Sequence, residues 1–166
     1  SMDAPSALAQ SRARIFGIEL GSPVASLPAD QWVEPACGTN GGPPSLRLAS
    51  FADFARCPVE AATGLREIWF IYDDEWEYIA RAYGDPVEIR SFSANVFYGQ
   101  PIVTSLLVDD GGFVQGYRVV TDPRAPTLER MTAYQLHATF KALFAGAPWQ
   151  CAALPREERE GGALPP

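Results

Sequence analysis

The sequence predicts an α+β fold, in which an antiparallel sheet of four or five strands packs against two main helices. A continuous apolar run at residues 68–72 indicates an interior strand. Two segments with apolar residues at helical spacing, 74–83 and 127–144, indicate the helices. Segments of strand character on both sides of a glycine turn at 109–112 indicate a hairpin, so the sheet is expected to be antiparallel.

The central strand is predicted from the run Ile-Trp-Phe-Ile-Tyr at residues 68–72. A strand with one face in water alternates polar and apolar residues, whereas this run is apolar at every position. Its short length and its aromatic and β-branched side chains favour a strand over a helix. We therefore expect an interior strand that is covered on both faces.

The first main helix is predicted to follow this strand directly. Asp74 and Glu77 have the spacing of a capping box, and Gly84 with Pro86 ends the helix. One face of the helix is apolar and comprises Trp76, Ile79, Ala80 and Tyr83. We expect that face to pack against the sheet.

The remaining strands are predicted after Pro86, at residues 87–92, 95–98, 102–108 and 113–121. Earlier in the chain, residues 15–20 indicate an edge strand or a short turn, and residues 45–49 a short strand. Residues 28–44 are rich in Pro, Gly, Asn and Ala and are predicted to form a loop.

The second main helix, at residues 127–144, is predicted to end before Gly146 and Pro148. Its apolar side comprises Leu128, Thr132, Leu136, Phe140 and Leu143. His137 lies at the edge of that side.

The length and charge of the chain limit its organisation and its partners. The chain has 166 residues, which indicates one domain, and a net charge of −7. Nucleic acid and anionic membranes require clustered Lys and Arg, so neither is an expected partner. We divide the chain into a disordered N terminus at 1–14, an α+β domain at 15–154 and a flexible tail at 155–166. Ala7-Leu8-Ala9 has the pattern that signal peptidase recognises, so the N terminus is a candidate signal-peptide remnant.

The opening Phe16-Gly17-Ile18-Glu19-Leu20-Gly21, followed by Cys37 and Cys57, resembles several small uncharacterised exported proteobacterial proteins. The helix followed by antiparallel strands is similar in outline to the BLIP and SmpA/BamE class of periplasmic α+β domains. The first pattern covers less than a third of the chain. The resemblance implies export and an α+β fold, and it transfers no functional residue.

Cys37, Cys57 and Cys151 allow three single disulfides. We favour Cys37 with Cys57, because both lie in the Pro- and Gly-rich region that has the least core of its own. Closing that loop would contribute ~3 kcal/mol on the chain-entropy account. Cys151 is then a single thiol, which we expect to be buried.

The candidate catalytic and metal-binding groups each have a structural explanation. His137, the only histidine of the sequence, is expected to be a satisfied structural residue, since no nucleophile motif accompanies it. Asp73, Asp74, Glu75 and Glu77 match no calcium loop and suit a helix N terminus. We therefore predict no catalytic residue, no metal and no cofactor.

A candidate contact surface lies at the turn after residues 95–98. Phe97 and Tyr98 lead into a tight turn that presents Gln100, and Tyr117 lies on the last strand. Aromatic and amide groups on a rigid turn are typical contact residues. The alternative is an ordinary hairpin with its aromatic residues in the core.

The leading functional hypothesis is a non-catalytic, periplasmic or secreted domain that binds a protein or takes part in envelope assembly. Its expected partner is another envelope protein. The alternative is a small enzyme or ligand-binding protein, with a cleft between the sheet and the last helix near His137.

Overall fold

The chain forms two compact units. The computed structural model describes residues 14–15, 17–72, 83, 96–97, 100–124, 127 and 134–152. Unit 1 comprises Ser1–Asp73 and Thr104–Arg118, and unit 2 comprises Asp74–Val103 and Val119–Pro166. The predicted disordered N terminus, except for Arg14, and the predicted tail at 155–166 lie outside the described residues.

The strands of the described residues are β1 (Arg14–Ile15), β2 (Ile18–Glu19), β3 (Trp32–Cys37), β4 (Arg66–Tyr72), β5 (Val96–Phe97), β6 (Gln100–Val108) and β7 (Val114–Thr121). Within these residues β3, β4, β6 and β5 pair in that order, and β7 also pairs with β6. β1 and β2 form a separate hairpin. The predicted antiparallel sheet is therefore confirmed, with five strands.

The helices of the described residues are α1 (Tyr134–Leu143) and two 3-10 helices, Val24–Ser26 and Phe51–Arg56. α1 corresponds to the second predicted helix, and residues 128–133 lie outside the description. Residues 74–82 of the first predicted helix also lie outside it. Tyr83 was expected on a buried face, but its side chain is 86% exposed, which corrects that assignment. Two main helices therefore remain a prediction.

The interior position of β4 is confirmed. β3 pairs with it on one edge and β6 on the other. Ile68, Trp69 and Phe70 are all buried, as a strand covered on both faces requires. The Phe70 ring meets Trp32 edge to face, with ring centroids 5.4 Å apart, and Phe51 at 6.1 Å. This aromatic group forms the centre of the core of unit 1.

β3 corrects the prediction of a loop at residues 28–44. Pro35 breaks the strand pattern in the sequence, since proline cannot donate a hydrogen bond to a neighbouring strand. In the structure the pairing register shifts between Val33 and Ala36, and Glu34 has a φ of 54°. Pro35 therefore lies in a bulge, where a missing donor is tolerated.

The glycine turn at 109–112 is confirmed. Gly112 has a φ of 84°, and its amide donates to the Asp109 carbonyl. β7 also pairs with the segment after β2, because Gly21 donates to the Val114 carbonyl and Val114 to the Ser22 carbonyl. The predicted strand at 45–49 is reduced to a single bridge between Arg47 and Ala36.

The core of unit 2 lies between β5 and α1. Phe97 stacks on Phe140, with ring centroids 4.3 Å apart, and Leu136 is buried one turn earlier on α1. β5 is shorter than the strand predicted at 95–98, and the strand predicted at 87–92 lies outside the described residues.

Candidate functional site

The predicted contact residues occupy different environments. Phe97 is 3% exposed and lies in the interior of unit 2, rather than on a contact surface. Gln100 is half-buried at the start of β6, and Tyr98 lies outside the described residues. Tyr117, in unit 1, is also half-buried, and its hydroxyl donates to the Ile18 carbonyl. Phe97 therefore has a role in packing, and Tyr117 has a role in hydrogen bonding.

A thiol and an imidazole meet on the surface of unit 2. Cys151 Sγ lies 3.6 Å from His137 Nε2, and both side chains are exposed. A buried thiol was expected, so the exposure of Cys151 is a correction. The prediction of a satisfied structural histidine is not contradicted, since His137 has Cys151 as a partner. A cysteine within hydrogen-bonding reach of a histidine is the arrangement in which imidazole accepts the thiol proton. This pair is the candidate functional site.

The end of α1 explains how Cys151 reaches a histidine 14 positions earlier. The helix ends at Leu143, close to the predicted stop, and Ala147 donates to the Phe144 carbonyl in the turn that follows. The Trp149 indole Nε1 donates to the same Phe144 carbonyl at 2.9 Å. These bonds satisfy the end of the helix and direct the chain back along it.

Two exposed aromatic residues accompany this pair, one on α1 and one in the segment that follows it. Tyr134 is one turn before His137 and is 61% exposed. Trp149 is close to Cys151 in sequence and is 40% exposed. We call Tyr134, His137, Trp149 and Cys151 the α1 surface. It combines two large apolar side chains with a thiol and an imidazole.

The buried charges of unit 1 form a second group, the Arg118 cluster, which comprises Arg118, Glu60 and Glu67. Arg118 donates from Nη1 and Nη2 to the two Glu60 carboxylate oxygens at 2.6 and 3.0 Å. Arg118 Nη1 also lies 2.6 Å from Glu67 Oε2. The side chains of Arg118, Glu60 and Glu67 are 18%, 22% and 3% exposed. Two carboxylates therefore share one guanidinium, and of the three side chains only that of Glu67 is fully buried.

The hydrogen bonds between Arg118 and Glu60 shift the pKa of both groups. Donation from Arg118 lowers the pKa of the Glu60 carboxyl from its ordinary value of 4.5, although desolvation opposes this shift. The same bond raises the pKa of the Arg118 guanidinium. Arg118 and Glu60 therefore form a charged pair at neutral pH, and the two groups bind each other.

The disulfide lies beside this cluster. Cys37 and Cys57 are bonded and buried, which confirms the predicted pairing. The loop that follows Cys37 contacts β4, since Gly38 donates to the Glu67 carbonyl at 2.9 Å. The backbone amide of Asn40 donates to Glu67 Oε2 at 2.7 Å. The loop thus supplies part of the environment of the buried carboxylate.

Sequence reasoning missed both groups, although each left a signal. Glu67 directly precedes the apolar run at 68–72, where a charged side chain requires a partner. Arg118 lies in a strand whose two faces are both mixed. The contact between His137 and Cys151 depends on the path of the chain after α1, for which the only signal was the stop at Gly146 and Pro148.

Within the described ranges, no helix is long and apolar enough to cross a membrane. In the same residues, no three His, Cys, Asp or Glu side chains are grouped so that they could hold a metal ion. The acidic residues 73–77 lie outside the description. No protein-family model, curated protein or solved structure matches the chain, so no residue takes a role from a relative.

Proposed function

We propose that this chain is a non-catalytic, exported domain that binds another protein of the cell envelope, in the periplasm or after secretion. The observation that carries the proposal is the exposure of Tyr134 and Trp149 on the α1 surface. Tyrosine and tryptophan are over-represented among the residues that dominate binding energy in protein interfaces. Both combine a large apolar ring with a polar group, which suits a surface that becomes covered.

The Cys37–Cys57 disulfide supports the exported location. Such bonds persist in oxidising compartments and are rare in the cytosol. The negative net charge of −7 also suits a protein partner better than nucleic acid.

Binding is tested by comparing two matched surface variants in affinity capture from envelope extract. The test variant is Tyr134→Ala with Trp149→Ala, and the control is Val59→Ala with Phe113→Ala, which removes two exposed apolar side chains of unit 1. We expect wild type and control to retain the same protein. The test variant should lose at least about tenfold of it, since each interface anchor contributes about 2 kcal/mol. Equal capture by all three proteins would contradict the proposal.

A second candidate function is favoured by the distance between Cys151 and His137. The alternative was a small enzyme or ligand-binding protein near His137, and a thiol lies 3.6 Å from that imidazole. In such a protein Cys151 would give its proton to His137 and attack a sulfur of a disulfide substrate. A new S–S bond would form, the substrate S–S bond would break, and the leaving thiolate would take the proton.

This candidate is tested with an aromatic disulfide, dithiobis(nitrobenzoate), on the native chain. His137→Gln should slow the release of thionitrobenzoate by about a hundredfold at neutral pH, the lower end of what a positioned base contributes. Gln135→Ala, an exposed change on the same helix, is the matched control. A rate that His137→Gln leaves unchanged excludes this function.

A further inference from the structure

The only histidine of the sequence meets the only cysteine that lies outside the disulfide. His137 is the single histidine, and of the three cysteines Cys37 and Cys57 are bonded to each other. His137 Nε2 and Cys151 Sγ lie 3.6 Å apart on the surface of unit 2, and both side chains are exposed. Each chain therefore offers one thiol and one imidazole, side by side and open to solution.

The distance between these two atoms is that of neighbouring ligands on a tetrahedral zinc ion. Zinc binds cysteine sulfur at about 2.3 Å and histidine nitrogen at about 2.0–2.1 Å. At the tetrahedral angle these bond lengths place the sulfur and the nitrogen about 3.6 Å apart. Cys151 Sγ and His137 Nε2 already have this separation. An ion can therefore replace the thiol proton between them without the two atoms moving apart.

One chain supplies only half of such a site. Structural zinc sites have four protein ligands, and two cysteines with two histidines are one of the common sets. In the part of the chain that the structure describes, no third His, Cys, Asp or Glu side chain joins the pair in a group that could hold a metal ion. A further thiolate or imidazole must come from another molecule, because the sequence has no other histidine and its other cysteines are bonded.

A second copy of this chain provides the missing ligands in the simplest way. A twofold axis through the ion would bring a second Cys151 and a second His137 to it, which gives two cysteines and two histidines. Both side chains are exposed, as contact with another molecule requires. Tyr134 and Trp149, the exposed aromatic residues of the α1 surface, would be partly covered in that contact and would add apolar burial.

We propose that Cys151 and His137 form half of a zinc site, which a second copy of the chain completes. Each thiol loses its proton to the solvent when the ion binds, so two protons are released for each zinc, and no group is oxidised or reduced. The product is a dimer with one zinc ion for two chains. The proposal differs from the sequence-based expectation of no metal, which concerned the ligands of one chain. It does not rest on the proposed binding of an envelope protein.

The test is the mass of the full chain in solution, measured by sedimentation during titration with zinc chloride. The protein starts metal-free with Cys151 as a thiol, and a denaturing gel without reductant confirms that no disulfide joins two chains. We expect the mass to double at one zinc ion for two chains and to return to that of the monomer in excess chelator. Cobalt(II) in place of zinc should give the strong visible absorption of a tetrahedral site with thiolate ligands.

Three variants separate coordination from other causes of association. Cys151→Ala and His137→Gln should both stay monomeric at zinc concentrations that convert the wild type completely. Since both positions are exposed, neither change should disturb folding. Gln135→Ala, an exposed change on the same helix, is the matched control and should dimerise as the wild type does.

Four outcomes would overturn the shared site. These are a monomer with zinc bound to each chain, a zinc-dependent dimer that persists in Cys151→Ala or His137→Gln, a dimer that chelator does not dissociate, and no change of mass with zinc or of absorption with cobalt. Capture of an envelope protein is measured in the presence of chelator, so its failure is distinguishable from failure of the zinc site.

Discussion

Unit 1 and unit 2 both contain cysteine, but the environments of the cysteines are opposite. In unit 1 two cysteines are joined in a buried disulfide, and Arg118, Glu60 and Glu67 satisfy each other. In unit 2 a cysteine and a histidine meet on the surface, beside exposed aromatic residues. The paired groups inside unit 1 stabilise the fold. The exposed groups of unit 2 remain accessible to another molecule.

The largest expected effect comes from removing the cation of the Arg118 cluster. Arg118→Met should lower the free energy of unfolding by about 3–5 kcal/mol, because it leaves the Glu67 carboxylate buried without its cation. Arg47→Met is the control, since Arg47 pairs with Glu34 on the surface of unit 1, where both side chains are exposed, and should contribute less than about 1 kcal/mol. Urea melts of the two variants measure the difference. Equal losses would mean that burial of the cluster does not determine its contribution.

A second test compares the interior of unit 2 with its surface. Phe97→Ala should cost about 3 kcal/mol, since it removes a buried ring that stacks on Phe140. Tyr134→Ala, on the α1 surface, should stay within about 0.5 kcal/mol of wild type. Thermal and urea unfolding measure both. If Phe97→Ala barely changed the free energy of unfolding, Phe97 would not be a core residue, and its predicted role as a contact residue would stand.

Acid should weaken unit 1 through Glu60. Its pKa is lower in the folded protein than its ordinary 4.5, chiefly because Arg118 donates to it. The stability it contributes is therefore complete above pH 4.5 and is lost as the pH falls through the folded pKa. Glu60→Gln should reduce the acid-induced loss in urea melts between neutral and acidic pH. Asp109 and Asp122 have lowered pKa values too, so part of the loss should remain in the variant.

The smallest expected effect on stability is at Cys151. Cys151→Ser should change the free energy of unfolding by less than about 0.5 kcal/mol, because the side chain is exposed. Thiol titration of the native protein should nevertheless fall from one reactive thiol to none. If the wild type shows no thiol before denaturation, Cys151 is covered in solution and the comparison between the units fails.

The elements that were predicted correctly depend on short-range patterns. The apolar run at β4 and the glycines at 111 and 112 each predict their structure from a few neighbouring residues. The disulfide was also predicted, since Cys37 and Cys57 lie in the region with the least core. β3 was missed because Pro35 is compatible with a strand only at a sheet edge or a bulge, and both depend on how the strands pair.

The groups of the candidate site and the Arg118 cluster could not be predicted in the same way. Arg118 and Glu60 are 58 positions apart and meet only when the strands and the loop take their places. The contact of Cys151 with His137 requires the chain to turn back after α1. The spacing of residues along the chain predicts neither of these two contacts. The sequence indicated at most that Glu67 needed a partner and that α1 ended near residue 146.

The bulge at Pro35 also bears on how molecules of this protein behave at high concentration. β3 lies at one end of the sheet order, and its outer edge accepts a hydrogen bond at the Pro35 carbonyl from Leu48, while Cys37 donates to the Leu46 carbonyl. A strand edge with free amides and carbonyls can template a strand of another molecule and start aggregation. Here the segment at 45–48 occupies that part of the edge. A bulge also disrupts the regular ladder that a further strand would need. The irregular stretch that hid β3 in the sequence therefore also limits strand pairing between molecules at this edge of the sheet.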